Sequence, residues 1–246
     1  MKIAALIPAR YDSTRFPGKL MKEIGNKTII RRVYENMKAT ELFDHVAVVC
    51  DSEIIYNEII SNGGTAYMSS IPHENGTSRI AEIAKNLDYD IFFNIQGDEP
   101  FVHKEIMTKL LDLFANDYQK KTDIVSPMML ITEKEMINNP NVVKVITNIF
   151  GEAMYFSRSP IPFRRNLNVE YKCYKHIGIY GFRKEALLKA SSLPDTPLDA
   201  SEMIECIKYL EHGMKIKMAE TPSQGISIDT PEDLEKALEL YESGVY

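Results

Sequence analysis

Arg10 and Lys19 bracket the stretch Arg10-Tyr11-Asp12-Ser13-Thr14-Arg15-Phe16-Pro17-Gly18-Lys19, which follows directly on the apolar run of residues 3–8. Cations and a Pro-Gly turn at the end of a strand suit a polyanion, because backbone N–H groups and Arg or Lys side chains together surround phosphate oxygens. A nucleoside triphosphate is the first ligand this loop implies. It is not a Walker A motif, since Gly18-Lys19 runs into Leu20 with no leading glycine and no Ser or Thr to touch a metal. The ordinary alternative is a solvated basic loop. A second candidate, Gln96-Gly97-Asp98-Glu99-Pro100, also follows an apolar run. An acid at a strand's end facing a phosphate loop is a natural Mg2+ ligand, because that ion is held by one or two carboxylates plus substrate phosphates. The alternative is that Asp98 caps the next helix. Asp229, in Ile228-Asp229-Thr230-Pro231, is another isolated acid after an apolar element, with a plain N-cap as its simplest role.

These loops need a scaffold that brings strand ends together. Through the first half, β-branched apolar runs at residues 3–7, 45–50 and 91–95 alternate with helical patterns at 29–37, 54–61 and 104–114. That alternation predicts an α/β fold with a mostly parallel sheet flanked by helices. Asp51 or Ser52 is placed to cap the second helix, and Asn62-Gly63-Gly64 to end it. Ligands of such sheets bind at the carboxyl ends of strands, so both loops are expected on one edge. The second half reads as strands at 124–128, 142–147, 153–156 and 177–182 between turn-rich stretches, an antiparallel extension of the sheet. Helices at 201–211 and 231–241 are expected to flank a strand at 215–219. The whole chain, 1–246, is expected to be a single domain with an extension at roughly 124–182.

Composition narrows the function classes. The chain has 246 residues, a net charge of -6 and no tryptophan, and it lacks the clustered positive face of a nucleic-acid binder. Cys50, Cys173 and Cys206 show no CxxC spacing, so neither a disulfide framework nor a zinc site is indicated and a reducing cytoplasm is expected. No apolar run is long enough to span a bilayer, and Met1-Lys2-Ile3 leads straight into a strand. A soluble, unprocessed protein without membrane partners is the expectation.

Seven motifs in order along nearly the whole chain carry a resemblance. They are Ile7-Pro8-Ala9-Arg10, Arg15-Phe16-Pro17-Gly18-Lys19, Asn75-Gly76-Thr77, Asn94-Ile95-Gln96-Gly97-Asp98-Glu99-Pro100, Tyr155-Phe156-Ser157-Arg158-Ser159-Pro160-Ile161-Pro162, His176-Ile177-Gly178-Ile179-Tyr180-Gly181 and Asp229-Thr230-Pro231-Glu232-Asp233-Leu234. Together they resemble the 3-deoxy-manno-octulosonate cytidylyltransferase (CMP-Kdo synthetase) family. The resemblance implies a nucleotide-diphosphosugar transferase-like fold and transfer of CMP from CTP to the anomeric hydroxyl of 3-deoxy-manno-octulosonate (Kdo), with release of pyrophosphate, for bacterial lipopolysaccharide or capsule synthesis. It implies that Arg10 and Lys19 neutralise the triphosphate with Arg15 assisting, and that Asp98 and Asp229 hold Mg2+. Pro8, Ala9, Gly76 and Thr77 would line the cytosine pocket. Arg79, Gln96, His176, Tyr180 and Glu205 would contact the sugar and its carboxylate, while His176 competes as a buried, hydrogen-bonded histidine. Arg158 would reach the sugar or support a dimer seam. A homodimer is implied, with residues 142–165, rich in Met, Tyr, Phe and Pro, as the seam.

Three departures sit near the implied sugar site. A family carboxylate becomes Ser78, an amide becomes Cys206, and an arginine becomes Lys208. They are read either as tolerated drift or as a site reshaped for another acid sugar, such as 8-amino-Kdo or a nonulosonate. Two rivals lie in other classes. One is a different nucleotidyltransferase or a glycosyltransferase on the same fold; such glycosyltransferases usually carry an Asp-x-Asp motif, and Gln96-Gly97-Asp98 lacks the first acid. A catalytically silent homologue has no need of both Asp98 and Asp229.

Overall fold

The computed structural model describes residues 1–13, 16–222 and 226–244. The chain forms two compact units, the first made of Met1–Met107, Phe182–Ser191 and Gln224–Tyr246, the second of Thr108–Gly181 and Ser192–Ser223.

The first unit is built on four parallel strands in the order Ala66–Met68, His45–Cys50, Ile3–Ala9, Ile91–Asn94. Ile3–Ala9 has a neighbour on each side, and its residues Ala4, Ala5, Leu6 and Ile7 are wholly buried, which explains the unbroken apolar run in the sequence. The helix Ile29–Ala39 covers the sheet because Ile29, Ile30, Val33, Tyr34 and Met37 recur at helical spacing and are buried. Its start is fixed by Thr28, whose hydroxyl accepts from the Arg31 N–H. Ser52, one of the two expected caps, accepts from the Ile54 N–H and opens the helix Glu53–Ser61, which ends at Asn62 before Gly63 at φ 74°. The helices Gly76–Ala84, Lys184–Ala190 and Pro231–Glu242 complete this unit. Since the strands are parallel, Arg10, Asp51 and Gln96 all leave the sheet at the same edge, as the alternation predicts.

In the second unit Ile124–Leu130 pairs antiparallel with Tyr174–His176, which pairs antiparallel with Lys144–Thr147, which pairs antiparallel with Ala153–Ser157. Ile216–Thr221 adds to Ile124–Leu130 in parallel. The antiparallel extension is therefore present, with two corrections to its elements. The run at 177–182 is not one strand: Tyr174–His176 ends before Ile177, the Ile179 N–H donates back to the Ile177 carbonyl at 2.8 Å, and a new strand, Tyr180–Arg183, begins. The helix expected at 201–211 is two, Pro197–Glu202 and Glu205–Glu211, because Met203 adopts a left-handed conformation at φ 52° and breaks the helical ladder.

Candidate active site

A cleft of about 260 Å³ opens in the first unit at the carboxyl edge of its sheet, lined in part by Pro8, Ala9, Arg10, Lys19, Gly76, Arg79, Gln96, Asp98 and Asp229. At its floor the Lys19 ammonium lies 2.5 Å from Asp98 Oδ2 and 3.0 Å from Asp229 Oδ1. These partners are 79 and 210 residues away in sequence, so only the folded sheet assembles the trio. Burial disfavours the charged form of Lys19, yet the two carboxylates outweigh it and its pKa is raised, so this lysine stays cationic. Removing Lys19 would leave two neighbouring carboxylates without their shared counterion, whereas removing one acid leaves a balanced pair.

Neither acid is a helix cap. The helix after Asp98 starts only at Lys104. The last helix is capped by Thr230, which accepts from the Asp233 N–H while Asp233 accepts from the Thr230 N–H in a capping box. Asp233 Oδ2 also accepts from the Asp229 N–H at 3.1 Å. That leaves the Asp229 carboxylate turned to Lys19 instead of its own helix.

Glycines let backbone approach the cleft. A Cβ on Gly76 would stand 2.9 Å from Pro8 Cγ, and one on Gly97 would stand 3.0 Å from the Pro8 carbonyl oxygen. Gly76 thus lies against the strand end named for the cytosine pocket. Thr77 does not line the cleft: its side chain is fully buried behind it, accepting from Asn94 Nδ2 at 3.2 Å, and Asn94 in turn accepts from Gln96 Nε2 at 3.1 Å. Thr77 is thus linked to the cleft residue Gln96 through Asn94. Arg79 is ion-paired to Asp51 at 2.8 Å, and Asp51 also receives the Tyr11 N–H. Arg15 lies outside the described residues. His73 also lines the cleft, with Nε2 2.6 Å from Glu82 Oε2. Burial would raise the Glu82 pKa, but hydrogen bonds from His73 and Ser70 pull it down to about 2. His73 precedes the Asn75 cap by two residues, the one positional cue that it belongs near this edge.

The second unit has its own cleft, also of about 260 Å³, lined in part by Asn141, Lys175, His176, Gly178, Tyr180 and Glu205. His176, Tyr180 and Glu205, expected at the sugar, therefore meet at one place. The Tyr180 hydroxyl lies 3.1 Å from Cys206 Sγ, and burial pushes the Cys206 thiol up to about 12 and the tyrosine well above its ordinary value, so both stay neutral. Arg158 gives its guanidinium to backbone: Nε donates to the Glu202 carbonyl, Nη1 to that of Pro140 and Nη2 to that of Met203. It holds the chain just before Glu205, alongside the Ser157 hydroxyl and the Arg158 N–H, which both bond the Glu202 carboxylate. Lys144, wholly buried, donates to the carbonyls of Asn139, Val142 and Arg158 and locks the same corner. No periodicity marks a lysine for such a place.

The three departures separate in space. Ser78 turns back on its own helix, donating to the Asn75 carbonyl, and Lys208 pairs with Asp195 at 3.0 Å away from the cleft lining. Cys206 alone backs two cleft residues, Tyr180 and His176.

Comparisons with known proteins show the family to which the chain is similar. The family profile described as Cytidylyltransferase matches residues 4–216. The chain is 54% identical over 237 residues to 3-deoxy-manno-octulosonate cytidylyltransferase of Flavobacterium johnsoniae, covering 96% of this chain and 97% of that one. It is 52% identical over 239 residues to the enzyme of the same name from Christiangramia forsetii, covering 97% and 96%. A solved structure of CMP:2-keto-3-deoxy-manno-octonic acid synthetase complexed with CTP superposes with a TM-score of 0.94 at 33% identity, over 99% of this chain and all of that one.

Proposed function

This chain belongs to the 3-deoxy-manno-octulosonate cytidylyltransferase family, and from that premise we propose that it transfers CMP from CTP to the anomeric hydroxyl of Kdo and releases pyrophosphate. One observation carries the reading: Asp98 and Asp229 converge on the Lys19 ammonium in a cleft that also presents Arg10 and the glycine-opened backbone at Gly76. Little covalent work falls to the protein in an in-line displacement at phosphorus, so positioning and charge neutralisation dominate.

The donor set fits a hard divalent cation, because two carboxylates with no sulfur converge on one positive charge. Asp98 and Asp229 would hold Mg2+, which supplies charge neutralisation at the α-phosphate and a lowered pKa for the attacking hydroxyl. Lys19, already cationic, and Arg10 neutralise the phosphates and the leaving pyrophosphate. Gly76 and the Pro8-Ala9 strand end read the cytosine edge, where small groups admit a pyrimidine and exclude a purine. His176, Tyr180 and Glu205, which line the second unit's cleft, contact the sugar; Gln96 and Arg79 line the first unit's cleft.

The protein acts as a homodimer in this reading, supported by large apolar side chains left exposed between Ile149 and Phe163, among them Phe150 and Met154. Light scattering that returns one chain of 28.1 kDa instead of two would overturn the dimer. Among the described residues no helix is long and apolar enough to cross a membrane. The free, buried Cys50, Cys173 and Cys206 suit a cytoplasmic enzyme.

Pyrophosphate release from CTP and Mg2+ tests the function, with Kdo run beside 8-amino-Kdo and N-acetylneuraminate at equal concentration. Fast release with Kdo supports the reading and reduces Ser78, Cys206 and Lys208 to drift. No release with Kdo overturns it.

A further inference from the structure

In the wall of the second unit's cleft the hydrogen bonds can be followed proton by proton. Ser126 is fully buried on the strand Ile124–Leu130, and its hydroxyl meets three groups: the Ile179 carbonyl at 2.8 Å, the Ile177 carbonyl at 3.2 Å and His176 Nε2 at 3.1 Å. A serine hydroxyl has one proton, and carbonyls only accept. Were that proton given to His176, two carbonyl oxygens would face the serine lone pairs in a buried site with no donor between them. The proton therefore goes to a carbonyl, with Ile179 the nearer. The hydroxyl oxygen then accepts from His176, whose proton must sit on Nε2.

A second proton has no support. The ring packs against Phe156 at 4.9 Å and Tyr180 at 5.5 Å between centroids, and Cys206 Sγ lies 3.9 Å from Nε2. Lys175 beside it lines the same cleft and adds positive charge, and Glu205 is the acid of that lining. Burial, reinforced by Lys175, holds the His176 pKa at about 3, so the ring is neutral at any working pH. Among the described residues no hydrogen bond to Nδ1 is formed, and His176 is one of the residues lining the cleft.

We propose that Ser126 is a positioning residue: by holding His176 in the Nε2–H tautomer it leaves Nδ1 as a bare acceptor in the cleft, which takes a hydroxyl of the acid sugar and turns away its carboxylate. This rests on the reading that Kdo enters the second unit's cleft. A carboxylate has no proton to offer Nδ1, so the sugar's anionic end is recognised by other groups. Orientation of the sugar follows from one buried serine that never touches it.

Two readouts keep this inference separable from the function it rests on. In ¹⁵N-labelled wild-type protein at neutral pH, without substrate, His176 is assigned by the signals lost in His176→Gln. An Nε2-protonated ring with bare Nδ1 is expected, and an Nδ1–H tautomer or an imidazolium overturns the proposal. Added Kdo should move the Nδ1 resonance in the direction of an accepted hydrogen bond. Kdo that perturbs other signals and leaves Nδ1 still overturns the acceptor role. No response anywhere overturns the functional reading and the acceptor role with it, while the tautomer is still decided by the first spectrum. In kinetics, Ser126→Ala should raise KM for Kdo roughly ten-fold, the scale of one hydrogen bond, with KM for CTP unchanged. An equal rise in both KM values, or none for Kdo, overturns it.

Discussion

The backbone N–H of Ile228 donates to the carbonyl oxygen of Asp98 at 3.0 Å, so the residue before Asp229 is stitched to the peptide of the other carboxylate. Two like charges are thereby held close by main chain, and their repulsion is offset by the Lys19 ammonium between them. The parallel sheet supplies Asp98 from a strand end, and the capping box of the last helix supplies Asp229. The two acids are thus brought together by a backbone hydrogen bond as well as by their shared ion pairs with Lys19.

Replacing either acid should therefore damage chemistry and spare the fold. Asp98→Asn and Asp229→Asn are each expected to lower kcat/KM by about 10²–10³-fold, the scale of losing one preorganised electrostatic group at a reacting centre. The double variant should fall little further, because the pair acts as a unit. Pyrophosphate release and thermal unfolding read the two effects apart. Activity within ten-fold of wild type for either single variant would remove that carboxylate from the chemistry.

Gly76→Ala tests how closely the nucleotide edge is built. The new methyl would meet Pro8 Cγ at 2.9 Å, and overpacking of this kind typically costs about 1–3 kcal/mol. Since Pro8 lines the cleft, the strain should displace the cytosine wall and raise KM for CTP about ten-fold or more, with KM for Kdo much less affected. Unchanged KM for CTP would show that the Pro8 edge does not read the base.

The alternation of apolar runs with helical stripes made the first unit legible, because parallel strands buried on both faces write unbroken apolar runs such as residues 3–8. The cations and acids of the first cleft were legible as well, being placed at the ends of those runs. The second unit was harder for a physical reason. Its breaks depend on backbone conformations, such as Met203 at φ 52°, that no residue type announces. Ser126 and Lys144 were missed because their roles are set by carbonyls that converge only after folding. Thr77 faces Asn94 instead of the cleft, since a motif residue beside a cleft can equally well face away from it.

His176 should leave a mark on acid stability. Its folded pKa of about 3 lies below the 6.5 of an unperturbed histidine, so below pH 6.5 the unfolded chain binds a proton the native state refuses. The stability this group permits is complete above that pH and declines by up to about 1.4 kcal/mol per pH unit as pH falls toward the folded pKa. Urea unfolding followed by a probe in the second unit at pH 7, 6 and 5 should show a decline for wild type that is shallower in His176→Gln by close to one proton. Equal slopes in the two proteins would mean that the imidazole is protonated in the native state.

Asp233 ties the last helix to the site and offers the sharpest separation of positioning from chemistry. Its Oδ2 accepts the N–H groups of both Asp229 and Thr230, so it fixes the backbone of a site acid without touching the cleft. Asp233→Ala removes the capping box and should lower stability by about 1 kcal/mol. Released from this hold, the Asp229 carboxylate spends less time beside Lys19, and kcat should fall about ten-fold while KM for CTP changes little. Asp233→Asn keeps an acceptor oxygen and should recover most of that activity. If Asp233→Ala loses stability and keeps full kcat, the capping box merely ends the helix, and Asp229 is placed without it, by contacts that include the Ile228 hydrogen bond to Asp98 and the Lys19 ion pair.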